Sequence, residues 1–113
     1  MQRVALSGAD RDTGRLLENI IYLELLRREG SVFVGQGPSG EVDFITQGPS
    51  GRAYYQVCES VVDPGTLERE LSSLRGVGDN YPKYLLTLDD ERPVSHEGIR
   101  QLYVLDWLLD RGA

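Results

Sequence analysis

Two patterns in the sequence contain the residue types of familiar chemistries, a nucleophilic thiol and a phosphate-binding glycine loop. The chain has one cysteine, Cys58, and one histidine, His96. A reactive thiol needs a base beside it and a third group that orients the base. His96 belongs to a polar loop with no sign that it approaches Cys58, so a buried cysteine in a strand is the favoured interpretation. One cysteine and one histidine also cannot form a structural zinc site.

The glycine pattern is Gly-Gln-Gly-Pro-Ser-Gly at 35–40, which matches G-x-G-x-x-G. A dinucleotide-binding loop needs a helix that begins inside the motif, so that its N-terminus meets the pyrophosphate. Here a strand pattern follows, and Pro38 occupies the turn. We therefore predict hairpin turns at 37–40 and 48–51, because both segments read Gly-Pro-Ser-Gly and suit a type I turn.

Several polar residues are more informative by their placement. Glu18 lies among apolar neighbours on a predicted helix, and Asp43 lies between two apolar residues of a predicted strand, so alternation turns it to the opposite face. Gln56 and Cys58 share one face of the next strand. Taken singly, Glu18 and Asp43 have ordinary explanations, as a solvated helix position and a strand-end carboxylate.

The elements that must position these residues follow from hydrophobic periodicity and from capping residues. The first helix, closed by Gly30, has apolar positions in more than one stripe, so we expect it to pack on at least two sides. Pro64 opens the second helix, and Asp106 is expected to cap the last. The predicted order is helix 13–29, strands 31–35, 41–47 and 52–60, helix 65–75, strands 84–88 and 100–105, and helix 107–110. This order predicts an α/β fold with a mixed sheet flanked by helices.

Composition limits the class of protein. A chain of 113 residues with 40% hydrophobic and 27% charged residues is typical of one soluble globular domain. The single cysteine, the lack of a membrane-length apolar stretch and the lack of a signal peptide predict a cytoplasmic protein without membrane contact. The net charge of −6 and the absence of a basic run disfavour nucleic acid as a partner.

Taken in order, the helix with Glu18, the strand with Asp43 and the pair Gln56 and Cys58 resemble the PD-(D/E)XK, restriction-endonuclease-like fold, whose core is αβββαβ. More closely, the chain resembles the C-terminal domain of unknown function of bacterial and archaeal AAA-type ATPases. The resemblance covers about residues 10–110 and rests on the segments 16–28, 41–44 (Glu-Val-Asp-Phe), 55–58, 79–89 and 105–109.

The resemblance implies a fragment of a longer ATPase. In that family an ATPase module with a phosphate-binding loop precedes this domain, whereas no G-x-x-x-x-G-K-[ST] occurs here. It implies that residues 12–113 form a single nuclease-like domain and that ATP binding belongs to sequence outside this chain. Residues 1–11 have little periodicity, which indicates a lead-in or an expression remnant. The partner would be the chain's own ATPase module, with another protein or self-association left open.

The resemblance also assigns site residues. In active nucleases of the fold, an Asp and a Glu hold a divalent metal and a Lys stabilises the charged transition state. By position Asp43 matches the Asp, Gln56 the Glu, Cys58 the Lys, and Glu18 the helix carboxylate. Gln56 offers a neutral carbonyl oxygen, a weaker ligand than a carboxylate, and Cys58 supplies no cation. Losing one such electrostatic group typically costs about 10²–10³ in rate.

We therefore expect a catalytically inactive, nuclease-like accessory or regulatory domain without a cofactor. One alternative is a degenerate metal-dependent nuclease in which Glu18, Asp43 and Gln56 bind Mg²⁺ or Mn²⁺ weakly. Lys83 would have to reach the site from the neighbouring strand, which its position in the family-like segment Tyr-Pro-Lys-Tyr at 81–84 disfavours. A further alternative is a module that binds nucleic acid without cleaving it.

Overall fold

Six strands form one mixed sheet in the part of the chain that the structure describes, in the spatial order β1-β2-β3-β4-β6-β5. The computed structural model describes residues 2–35, 42–49 and 51–109, with side chains from residue 12 onward. The elements are α1 (Gln2–Glu29), β1 (Val32–Phe33), β2 (Phe44–Gly48), β3 (Gly51–Cys58), α2 (Pro64–Arg75), β4 (Lys83–Thr87), β5 (Val94–His96), β6 (Ile99–Tyr103) and α3 (Val104–Leu108).

The sheet combines an antiparallel half and a parallel half. Strands β1, β2 and β3 pair antiparallel in sequence order. Helix α2 then crosses over, so β4 pairs parallel to β3, and β6 pairs parallel to β4. Short β5 closes the far edge antiparallel to β6.

The sheet has a helix on each face and therefore two apolar clusters. On one face α1 and α3 pack through Leu17, Ile21, Leu25 and Trp107 against side chains such as Tyr55. On the other face the apolar stripe of α2 covers the strands. That second cluster contains Val42, Tyr54, Val61, Leu71, Leu74, Leu85 and Ile99. Because successive strand residues point to opposite faces, Gln56 and Cys58 lie on the α2 face, while Tyr55 and Val57 lie on the α1 face.

The predicted α/β class, with a mixed sheet flanked by helices, is confirmed. The first six elements also follow the expected order, helix, three strands, helix, strand. Strand β5 was not expected, because three residues are too few to show a period. That the core is of the restriction-endonuclease-like type stays a prediction.

Helix α1 differs from the prediction at its start. We expected a helix from Thr13, whereas α1 begins at Gln2; that residues 1–11 are a lead-in stays a prediction. No proline interrupts this segment, and isolated glycines such as Gly8 and Gly14 weaken a helix without ending it. The predicted end is correct: Gly30 follows the helix with φ of +89°, a conformation that costs glycine little.

One of the two predicted Gly-Pro-Ser-Gly turns lies next to described strands. The 48–51 turn joins β2 to β3, and Gly48 pairs with Gly51 across it. The other predicted turn, 37–40, lies outside the described residues.

Asp106 was expected to cap the final helix, but α3 begins at Val104 with Tyr103 as its N-cap, which places Asp106 in the first turn. The helix starts earlier because Val104 and Trp107, one turn apart, are both buried in the core.

No helix within the described ranges combines the length and the apolar character needed to cross a bilayer.

Candidate functional site

Asp43 and Gln56 meet where the pairing of β2 with β3 ends. The last paired residues are Phe44 and Tyr55. One position further, the backbone N–H of Asp43 donates to Oε1 of Gln56 at 3.0 Å. In return, Oδ2 of Asp43 accepts a hydrogen bond from the backbone N–H of Val57 at 2.9 Å. The two side chains thus extend the contact between the strands beyond the last backbone pair. We call this pair of hydrogen bonds the Asp43–Gln56 clasp.

Glu70, on α2, joins the clasp from the helix side. Desolvation raises the pKa of the Glu70 carboxyl, the Gln56 side chain lowers it by less as a hydrogen-bonding neighbour, and the negative charge of Asp43 raises it further. The net pKa of Glu70 is raised above its ordinary value. Among the described residues, Oε1 of Glu70 is buried and has no hydrogen-bond partner. Glu70 is therefore a carboxylate held in an environment that disfavours its charge.

Sequence reasoning did not identify Glu70, although a signal was present. The apolar positions Leu67, Leu71 and Leu74 predict which stripe of α2 is buried, and both Leu71 and Leu74 are buried. Glu70 lies three residues after Leu67 and directly before Leu71, so it borders that stripe. A carboxylate at the border of a buried stripe is a candidate for contact with the sheet.

Cys58 lies two residues after Gln56 on the same sheet face and is half-buried. Its thiol donates to the backbone oxygen of Ser60 at 3.3 Å, and burial raises the thiol pKa. His96, the proposed base of a thiol–imidazole pair, lies on β5, and its Nε2 contacts Oε1 of Gln101 at 2.9 Å. A protonated thiol whose hydrogen-bond partner is a backbone carbonyl fits the interpretation as a strand cysteine that packs against the core.

Glu18 lies on α1, which covers the opposite face of the sheet from Gln56 and Cys58. It is exposed and sits one turn before Tyr22, whose ring centroid is 5.9 Å from that of Phe44. Glu18 is thus on the flank of α1 nearer β2. Within the ranges the structure describes, no group of three histidine, cysteine, aspartate or glutamate side chains is placed to hold a metal ion. The structure brings Asp43, Gln56 and Glu70 together. Among the described residues, Glu18 forms no metal-binding group with the two carboxylates.

Lys83 does not supply the missing cation. Its ammonium donates to the backbone oxygen of Asp79 at 2.6 Å, to Oδ1 of Asp79 at 3.1 Å and to the backbone oxygen of Tyr81 at 3.0 Å. These three bonds match the three N–H donors of the group. All three N–H donors of Lys83 are therefore used within the turn that precedes β4.

The arrangement as it stands joins three elements through polar side chains. Asp43 and Gln56 connect the start of β2 to β3, and the Glu70 carboxyl of α2 lies close enough to both for them to affect its pKa. Each of the three side chains has an oxygen of the kind that hard cations prefer. In this arrangement, however, one Asp43 oxygen and the single side-chain oxygen of Gln56 accept hydrogen bonds from backbone N–H groups.

Comparison with known proteins identified one informative relative. No family model matches the chain, and no solved structure matches it. An uncharacterized protein of Haemophilus influenzae is 36% identical over 109 residues, which is 96% of this chain and 26% of the relative. The chain therefore spans about a quarter of the length of the relative that it matches.

Proposed function

We propose that this chain is a nuclease-like accessory or regulatory domain, without nuclease activity, of a longer AAA-type ATPase. The observation that supports the loss of activity is the Asp43–Gln56 clasp. Gln56 has one side-chain oxygen able to bind a metal, and that oxygen accepts the backbone N–H of Asp43. Asp43 in turn uses Oδ2 to accept the backbone N–H of Val57. The two residues that match the metal ligands of active nucleases act here as a structural connection between strands.

The accessory role is supported by length. The relative in Haemophilus influenzae is about four times as long as the matched region, so a sequence of this kind occurs as one part of a larger protein. If the resemblance to the C-terminal domain of AAA-type ATPases holds, the remaining part of the longer protein is an ATPase module. The ATP-binding loop would belong to that module.

A second candidate function is a divalent-metal-dependent nuclease, and Glu70 is the observation that favours it. Two carboxylates, Asp43 and Glu70, flank Gln56, and Oε1 of Glu70 is buried without a hydrogen-bond partner among the described residues. A bound cation would relieve the repulsion that raises the Glu70 pKa. In this alternative, Glu70 supplies the acidic ligand that is missing because residue 56 is a glutamine.

A nuclease assay distinguishes the two candidates. The chain is incubated with single-stranded DNA, duplex DNA and RNA in Mg²⁺ and in Mn²⁺, alongside Asp43→Ala and Glu70→Gln. Glu68→Gln, an exposed α2 carboxylate, is the matched control. We expect no cleavage above the metal-only background for any variant. Metal-dependent cleavage that disappears in Asp43→Ala and persists in Glu68→Gln would overturn the proposal and support the nuclease.

A Mn²⁺ titration followed by amide NMR tests the metal site independently of activity. In the accessory-domain proposal, broadening is scattered over exposed acidic residues. Broadening confined to Asp43, Gln56 and Glu70 at millimolar Mn²⁺ or below would show that a metal site persists. The ATPase part is tested on the full gene product, which should hydrolyse ATP while the 113-residue chain does not; a full product that lacks hydrolysis would contradict it.

A further inference from the structure

A cavity of about 300 Å³ lies on the α1 face of the sheet, opposite the face that carries Gln56. Strands β3, β4 and β6 form its floor, with Tyr55, Tyr84 and Leu102, and its walls come from the end of α1 and from Trp107 of α3. Pockets that bind small molecules begin at about this volume and combine an apolar lining with a few polar groups. We call this cavity the tyrosine pocket. Because it lies on the other face from the Asp43–Gln56 clasp, an inference about it does not depend on the proposed function.

Aromatic rings supply much of the apolar lining of the tyrosine pocket. Tyr55 and Tyr84 pair in register on neighbouring strands, and their rings stack with centroids 5.1 Å apart. The ring of Trp107 lies 6.2 Å from that of Tyr55. Tyr55 and Trp107 are buried, whereas Tyr84 is half-buried. The Tyr84 ring is therefore the aromatic surface that a ligand can reach, and such a surface favours a planar ring as its partner.

Arg100 is a cation of the tyrosine pocket that has no hydrogen-bond or ion-pair partner among the described residues. It lies two residues before Leu102, which packs on the α1 face, so its side chain leaves the sheet on that face, beside Tyr84 on the neighbouring strand. Arg28 and Arg52 also line the pocket, but their guanidinium groups donate hydrogen bonds within the protein. Arg100 is therefore available to bind a carboxylate or a phosphate, the anions that a guanidinium matches in shape.

Glu29, the last residue of α1, contributes the opposite charge to the lining. Its Oε1 is buried and has no hydrogen-bond partner among the described residues. The carboxylate acts on the pocket, since the pKa of Tyr55 is raised to about 12 by burial first and then by Tyr84 and Glu29. A ligand that offers an N–H donor to this carboxylate would offset its desolvation.

We propose that the tyrosine pocket binds a small molecule with a planar ring, an anionic group and an amino group. The anionic group pairs with Arg100, the amino group donates to Glu29, and the ring packs on Tyr84. A ligand with the anionic group alone is repelled by Glu29, and one with the amino group alone is repelled by Arg100, so the two charges together select a molecule that carries both groups. A free aromatic amino acid and a mononucleotide with an amino group on its base share this chemistry.

Titration of the 113-residue chain with tryptophan and with adenosine monophosphate, followed by amide NMR, tests the proposal. We expect at least one of the two to bind at millimolar concentration or below, with the shifts concentrated around Tyr55, Tyr84 and Leu102. Matched ligands each lack one group: indole-3-propionate and inosine monophosphate lack the amino group, whereas tryptamine and adenosine lack the anionic group. Each of these should bind at least about tenfold more weakly than its complete counterpart.

Two substitutions identify the groups that recognise the ligand. Arg100→Gln should weaken binding of the complete ligand at least about tenfold and leave the ligand without an anionic group unaffected. Glu29→Gln should weaken binding of the complete ligand and not that of the ligand without an amino group. Arg69→Gln, at an exposed position on α2 at the opposite face of the sheet, is the matched control and should change no affinity. Melting curves show that each variant is folded before its affinity is compared.

Three results would overturn the inference. The first is that neither tryptophan nor adenosine monophosphate shifts the amides of the tyrosine pocket at millimolar concentration. The second is equal affinity for the complete ligands and for those that lack one group, which is the behaviour of an unspecific apolar cavity. The third is binding that Arg100→Gln leaves unchanged. Binding of one complete ligand and not the other supports the proposal and identifies the source of the ligand, and nuclease activity dependent on Asp43 would reject the proposed function without affecting the pocket.

Discussion

Replacing Asp43 by alanine tests whether this carboxylate is structural. The change removes the acceptor of the Val57 N–H, and Val57 is 7% exposed. A buried N–H that loses its partner costs about 1–3 kcal/mol. The change also removes the negative charge that raises the Glu70 pKa, and relief of that repulsion returns part of the cost, on the order of 0.5 kcal/mol for a partly exposed pair. We expect Asp43→Ala to lower the free energy of unfolding by about 1–2 kcal/mol.

Asparagine at the same position separates the hydrogen bond from the charge. Its side-chain oxygen can accept the Val57 N–H, and it does not repel Glu70. Asp43→Asn should therefore lower the free energy of unfolding by less than about 1 kcal/mol. Asp90→Ala, at an exposed loop position, is the matched control and should have no effect beyond about 0.5 kcal/mol.

Urea unfolding at pH 7 measures these free energies, and hydrogen exchange of the Val57 amide shows whether the loss is local to the clasp. In Asp43→Ala that amide should exchange faster relative to amides of β4, which the change does not touch. If Asp43→Ala is as stable as the unchanged chain and the Val57 amide remains protected, Asp43 has no structural role. The structural argument against a metal site would then fail.

Three further changes test the surroundings of the clasp and the helix ends. Glu70→Gln should raise the free energy of unfolding at pH 7 by on the order of 1 kcal/mol, because the pKa of Glu70 in the folded state is raised above 4.5. Folding then favours the protonated carboxyl, so the unchanged chain loses stability as the pH rises from 4.5 through that raised pKa. The gain should vanish below about pH 4, where Glu70 is protonated in both the folded and the unfolded state. Urea unfolding at pH 7 and below pH 4 measures the gain, and an equal gain at the two pH values would contradict this argument. Gly48→Ala should lower the free energy of unfolding by about 2 kcal/mol or more, and the melting temperature with it, because a Cβ there would clash with the backbone oxygen of Glu29. An unchanged melting curve would show that α1 moves freely away from β2. Asp63→Ala should cost about 1 kcal/mol, because Asp63 caps α2 by accepting from the Thr66 N–H at 3.0 Å, and Asp63→Asn, which keeps an acceptor, should recover most of that loss in the same measurement.

Local sequence patterns predicted most of the elements around the site. The alternation in β3 correctly assigns Gln56 and Cys58 to one face, because side-chain direction in a strand has a period of two residues. At Asp43 the predicted alternation is wrong: β2 begins only at Phe44, and Val42 packs on the α2 face while Phe44 packs on the α1 face. The apolar stripe of α2 and the glycine after α1 were correct for similar reasons. The predicted start of α1 at Thr13 was wrong by more than ten residues, because the segment before it contains no residue able to end a helix.

Contacts between elements distant in the sequence required the tertiary structure. Glu70 approaches Asp43 because the α2 crossover lays the helix on the face where β3 carries Gln56, and no local period encodes that crossing. The sequence also did not predict the partner of Gln56 Oε1, because the amide oxygen of a glutamine can bind a metal ion or accept a backbone N–H. Helix α1 has a second apolar stripe that is visible in the sequence, but only the packing shows that its side chains Leu16, Ile20 and Leu23 stay exposed. Sequence thus determined which residues share a face within regular elements such as β3 and α2, a local property of backbone geometry, whereas packing decided where β2 begins, which faces meet and which remain open.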